Sequence, residues 1–121
     1  MIIYVVDDHD LMRDATTSVL RRLRRTAKIL DFENFERFLE AVAAWGSPDL
    51  LVLDLTLPGI VGCEGVRRAR ACCKNTYLAV YSASPALDSE QECIASGANV
   101  YIEKCSGSNA FVKTLQTFLD Q

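Results

Sequence analysis

Five side chains have the types and spacing that phosphoryl chemistry requires: Asp7, Asp8, Asp54, Ser82 and Lys104. Each stands at or just beyond the end of a short apolar run. Leu50 to Leu53 is continuously apolar and stops on Asp54, and Ile2 to Val6 stops in the same way on Asp7 and Asp8. Asp is depleted in strands and its charge is costly to bury, so a carboxylate at the end of a central strand calls for a compensating reason. Three converging carboxylates repel one another and suit a hard divalent cation with oxygen ligands, Mg²⁺ first and Mn²⁺ as a substitute. Phosphoryl transfer then needs a positioned nucleophile and positive groups around the moving oxygens. Asp54 can be that nucleophile. The cation and Lys104 would offset the developing charge, with the Ser82 hydroxyl donating to a further oxygen. Taken singly, these residues have plainer roles: Asp8 or Asp10 as a helix cap, Ser82 as a loop hydroxyl, Lys104 as a strand-end charge. His9, with no Cys or second His beside it, reads as an exposed helix-start residue.

The elements decide whether the five meet. Strands are expected at Ile2 to Val6, Ala27 to Phe32, Leu50 to Leu53, Tyr77 to Tyr81 and Val100 to Glu103. A helix from Asp10 carries Met12, Thr16, Val19, Leu20 and Leu23 on one stripe and closes on Arg21, Arg22, Arg24 and Arg25, a solvated basic end. Asn34 caps a helix from Phe35 to Trp45 that Gly46 stops, with Trp45 read as a packing residue. A third helix spans about Cys63 to Cys72, with Val66 and Ala69 inward and Arg67, Arg68 and Arg70 outward. Pro85 suits the first turn of a fourth, ending at Ser96 before Gly97. That fourth helix is the most polar, with only Leu87, Cys93, Ile94 and Ala95 to anchor it. Ser108 is the expected cap of the last helix, which turns Phe111, Val112, Leu115, Phe118 and Leu119 inward. Five alternations imply an α/β fold, a doubly wound parallel sheet in the order 2-1-3-4-5 with five helices. That order places Asp7, Asp8, Asp54, Ser82 and Lys104 along one edge, where ligands bind in open sheets.

Composition bounds the rest. At 121 residues and 50% hydrophobic, the chain suits one compact domain, residues 1–121. A net charge of −3 and a pI near 5.1 give no cationic footprint for nucleic acid. The start of the chain has neither the charged region nor the cleavage site of a signal peptide, and Asp7 and Asp8 cut its apolar run short of a membrane span, so a cytoplasmic protein is expected. The five cysteines, Cys63, Cys72, Cys73, Cys93 and Cys105, are odd in number without paired zinc spacing, and read as reduced thiols, mostly packing, with Cys105 the more exposed.

Val5-Val6-Asp7-Asp8, Leu53-Asp54-Leu55 with Pro58-Gly59, Tyr81-Ser82-Ala83, and Gly97-Ala98 followed by Tyr101-Ile102-Glu103-Lys104 resemble the receiver domain of two-component response regulators. The resemblance covers essentially the whole chain. Asp7-Asp8-His9 and Gly97 to Ile102 are most similar to receivers of the NarL/LuxR type, which usually carry a C-terminal helix-turn-helix domain and regulate transcription. It implies a flavodoxin-like, CheY-like fold and phosphorylation of Asp54 by a sensor histidine kinase or phosphotransfer protein. Mg²⁺ would be held by Asp8, Asp54 and the Thr56 backbone carbonyl, with Asp7 acting through water. Ser82 and Tyr101 match the family's switch pair. Ser82 would be drawn to the phosphoryl group and Tyr101 would turn inward, changing the surface of the fourth helix, fifth strand and fifth helix. Thr56 and Ser84 match positions that tune phosphate lifetime. Homodimerisation on activation is a further implied property, and the domain would be no enzyme beyond its own phosphorylation and dephosphorylation.

One departure stands out. The family commonly has a cis proline after the lysine, whereas this chain has Lys104-Cys105, where a cis bond would cost ~3 kcal/mol more than a trans one. Either the loop carries that strain or Lys104 is aimed differently. Three other readings compete. A haloacid-dehalogenase-like phosphatase needs a second Asp two residues after the first, where this chain has Thr56. A flavodoxin-like binding module needs a Gly-rich phosphate loop, where Asp7-Asp8-His9-Asp10 would repel a phosphate. A pseudo-receiver that binds partners without phosphorylation normally lacks one of the acidic, hydroxyl or lysine positions, and all are present here.

Overall fold

A computed structural model describes residues 1–120, the side chain of Ser108 apart. Five strands alternate with five helices: β1 Ile2–Val6, α1 Asp10–Leu23, β2 Lys28–Phe32, α2 Phe35–Trp45, β3 Leu50–Leu53, α3 Glu64–Cys72, β4 Tyr77–Ser82, α4 Ala86–Ser96, β5 Val100–Glu103 and α5 Gly107–Leu119. All strands pair in parallel, in the order β2-β1-β3-β4-β5. In register, Val6 lies opposite Leu53, Leu53 opposite Val80, and Tyr81 opposite Ile102. The C-terminal ends of β1, β3, β4 and β5 therefore sit level.

The central strand is buried on both faces, as its unbroken apolar run requires. Alternation along the strands divides the core in two. Tyr4, Val6, Leu51, Leu53, Leu78 and Val80 pack with Phe35 and Phe38 of α2, Val66 of α3 and Cys93 of α4. Ile3, Val5, Leu50, Val52, Ala79 and Tyr81 pack with Leu20 of α1 and with Phe111, Leu115 and Leu119 of α5. α2 starts at the Asn34 cap, whose side chain accepts from the Arg37 backbone at 2.9 Å. Gly97 follows α4 with φ +124°, and a Cβ there would come within 2.8 Å of Arg70 Cγ.

Several expectations need correction. Trp45, the last residue of α2 before Gly46 stops it, is 69% exposed instead of packed. Leu87 is 97% exposed and Ile94 and Ala95 face solvent, leaving Cys93 as the one buried residue of α4. Pro85 is the N-cap of α4, one residue before the first turn. His9, not Asp8 or Asp10, holds the N-cap position of α1, with no side-chain cap bond. α5 begins at Gly107 with Ser106 in the N-cap position, because a single 3₁₀ turn, Lys104–Ser106, leads into it, so position 108 falls within the first turn instead of capping it. Arg70 turns back instead of outward: its guanidinium donates to the carbonyls of Gly97, Cys73, Lys74 and Thr76 and to Asn99.

Candidate functional site

The site is built from strand ends. Asp7 and Asp8 follow β1, Asp54 follows β3, Ser82 ends β4, and Lys104 follows β5. Asp7 and Asp54 are each 3% exposed, and Ser82 is fully buried. The Lys104 ammonium lies 3.0 Å from Asp7 Oδ2 and 3.5 Å from Asp54 Oδ2, so it bridges the two inner carboxylates. No peptide bond is cis among the described residues, so the Lys104-Cys105 bond is trans and the 3₁₀ turn still delivers the lysine. Lys104 also sits 5.7 Å from the Tyr81 ring centroid, a cation–π contact that flanks it from the sheet side.

Asp54 Oδ1 accepts from the Thr56 backbone at 3.1 Å and from the Thr56 hydroxyl at 3.2 Å. Its Oδ2 is buried without a hydrogen-bond partner, and so is Asp8 Oδ1. Burial pushes the Asp54 carboxyl above the usual range, Lys104 pulls it back, and Asp7 raises it again. Ligand atoms of Asp7, Asp8, His9 and Asp54 all lie within 4.8 Å of one another. Clustered carboxylates with buried oxygens that lack a hydrogen-bond partner are what a divalent cation would satisfy, so the donor set fits Mg²⁺ or Mn²⁺.

Two residues around the cluster were not singled out for this position from sequence. His9 is exposed, as expected, yet its backbone donates to Asp7 Oδ1 at 2.9 Å and its Nδ1 lies 3.1 Å from Asp8 Oδ1. Arg13 donates to the Asp7 carbonyl at 2.8 Å while pairing with Asp10 and Asp31, which fixes the turn that presents Asp7. Adjacency in sequence was the available signal for His9. Arg13 gave only its i,i+3 spacing to Asp10, because its contacts with Asp7 and Asp31 form across separate segments.

Ser82 and Tyr101 are linked through Ser84. The Ser82 hydroxyl accepts from the Ser84 backbone at 3.1 Å, and the Tyr101 hydroxyl donates to the Ser84 carbonyl at 2.7 Å. Tyr101 is 8% exposed, its ring buried beside the loop after β4. The hydrogen bond to Ser84 is the physical reason it stays there.

The family model for the response regulator receiver domain matches residues 3–116. Among curated proteins, the chain is 25% identical over 113 residues to the nitrate/nitrite response regulator protein NarL of Escherichia coli K12, covering 93% of this chain and 52% of that protein. It is 29% identical over 106 residues to a cyclic di-GMP phosphodiesterase of Thermotoga maritima, covering 86% of this chain and 27% of that protein. The chain thus spans about half or less of these relatives. A LuxR-family two-component response regulator from Aurantimonas superposes with a TM-score of 0.84 at 23% identity, over 98% of this chain and 84% of that one, a likeness of fold. The NarL match agrees with the NarL/LuxR-like motifs around Asp7 and Gly97. With the sheet order, the acidic edge and the family match in agreement, the chain belongs to the response regulator receiver domains of two-component signalling.

Proposed function

We propose that residues 1–121 form one receiver domain that accepts a phosphoryl group on Asp54 from a histidine kinase or phosphotransfer protein. The observation that carries this reading is the Lys104 ammonium held between Asp7 and Asp54, beside a buried Asp54 oxygen with no hydrogen-bond partner. A carboxylate in that position has a free lone pair facing a cation, which is the arrangement an attacking nucleophile needs. Asp7, Asp8, Asp54 and the Thr56 carbonyl would hold Mg²⁺, which when bound offsets charge on the phosphoryl oxygens. Thr56 steadies the other Asp54 oxygen through its backbone and hydroxyl donors, so one lone-pair set stays oriented during attack. Lys104 stabilises negative charge as it builds, and Ser82 is the hydroxyl available to a third oxygen once it leaves Ser84. Thr56 and Ser84, both small, leave water a path to the phosphoryl group and so set its lifetime.

The output follows from the same loop. Drawing Ser82 toward Asp54 would break its bond to the Ser84 backbone and shift the carbonyl that anchors Tyr101, at the head of α4. α4 buries only Cys93, so it can respond at small cost, and the α4-β5-α5 face becomes the surface read by an output partner or a second copy. The resemblance to NarL/LuxR-type receivers favours control of transcription as that output. Among the described residues no helix is long and apolar enough to cross a membrane, and a cytoplasmic regulator is the setting this reading favours. Incubation with acetyl phosphate and Mg²⁺ tests the proposal by intact mass. A single phosphoryl adduct is expected, abolished by EDTA; an unmodified mass from folded protein would count against it.

A further inference from the structure

Three of the five cysteines are buried, and two of these face each other: Cys63 Sγ and Cys93 Sγ are 2.9 Å apart although 30 positions separate them in sequence. Cys63 is the N-cap residue of α3, at the end of the loop that begins with Asp54. Cys93 is the one buried side chain of α4. A bond between them would therefore join the loop leaving the acidic site to the helix whose own packing is weakest. The other cysteines have different neighbours: Cys72 lies against Cys73 at 3.7 Å, and Cys105 is exposed next to Glu103.

The geometry points to a reversible Cys63–Cys93 disulfide that ties α4 to the head of α3 and restrains its movement. The inference goes beyond phosphoryl transfer and does not depend on it. A low-molecular-weight disulfide is a sufficient oxidant. The Cys63 thiolate attacks one of its sulfurs and expels the first small thiol. Cys93 then attacks Cys63 Sγ of the mixed disulfide and expels the second, so two protein thiols become one S–S bond and their two protons leave on the two small thiols. Cys63 goes first because it ends a loop whose preceding residues, Val61 and Gly62, are exposed, whereas Cys93 is held within a helix. Burial and the facing Cys63 thiol push Cys93 up to about 12, so the reaction proceeds through transient opening of α4, and the finished bond then closes that opening. In a reducing compartment the dithiol persists, and oxidation converts a loosely held helix into a tethered one.

The test uses the folded chain, fully reduced and then exposed to oxidised glutathione without denaturant. After acid quench, remaining thiols are alkylated under denaturing conditions and peptides mapped by mass spectrometry. The expected product is a Cys63–Cys93 cross-linked peptide, lost on dithiothreitol treatment. Cys63 and Cys93 recovered alkylated, capped by glutathione, or linked to other cysteines would overturn the pairing. In the linked form, α4 amides should exchange hydrogen more slowly, on the order of tenfold. Unchanged exchange in α4 would overturn the tether.

Discussion

The Tyr101 hydroxyl donates to the Ser84 carbonyl at 2.7 Å, which joins β5 to the loop between β4 and α4. Ser84 in turn donates its backbone N–H to the Ser82 hydroxyl, so a movement at the acidic edge reaches Tyr101 through one residue. Removing the phenol oxygen breaks this chain at a known point. Tyr101→Phe is expected to cost about 0.5–1.5 kcal/mol in urea denaturation. Hydrogen exchange at the start of α4 should also quicken. Unaltered exchange there would show that the Ser84 contact does not hold the loop.

Asp54 gives a pH dependence whose sign is fixed by its surroundings. Burial raises its pKa, Lys104 opposes and Asp7 adds, so the folded chain holds the Asp54 proton more tightly than the unfolded chain does. The stability from a raised carboxylate is fully present below the unfolded value of 3.8 and is lost as pH rises through the folded value. Asp54→Asn removes that loss. In EDTA, the variant's stability relative to the native chain should grow as pH rises above the unfolded value and through the folded one. Chemical denaturation at stepped pH measures it, and a difference independent of pH would contradict the assignment.

Gly97 tests the support under the site rather than the site itself. Its φ of +124° disfavours any side chain, and an added Cβ would meet Arg70 Cγ at 2.8 Å and Arg70 Cβ at 2.9 Å. Arg70 cannot yield freely, because its guanidinium holds the carbonyls of Gly97, Cys73 and Thr76 together with Asn99. Gly97→Ala should cost about 1–3 kcal/mol in thermal or urea unfolding. Phosphoryl acceptance from acetyl phosphate, measured where the variant remains folded, should be unchanged, since Gly97 lies far from Asp54 along the sheet: it precedes β5, whereas Lys104 follows it.

Much of this architecture was legible because it rests on short-range signals. An unbroken run such as Leu50 to Leu53 can only be buried on both faces, and alternation with amphipathic helices dictates a parallel sheet. Strand ends then place Asp7, Asp54 and Lys104 together with no further information. The misread residues are those whose environment is set by distant segments. Leu87 and Ile94 look like anchors on a polar helix, yet both are exposed, Leu87 almost completely. Trp45, too, is exposed. Arg70 looks like one more surface cation until the carbonyls after α3 and around Gly97 are placed beside it. The facing of Cys63 and Cys93 depends on how α3 and α4 pack, which neither local pattern encodes.

Reductive trapping of the acyl phosphate tests the central claim at residue level. After phosphorylation with acetyl phosphate and Mg²⁺, borohydride reduces an aspartyl phosphate to homoserine, and peptide mapping by mass spectrometry locates it. Reduction at position 54 alone, absent from EDTA-treated protein, is the predicted result. Homoserine at position 7 or 8, or none at any aspartate of a folded and Mg²⁺-supplied protein, would contradict the assignment of Asp54 as the phosphoryl acceptor.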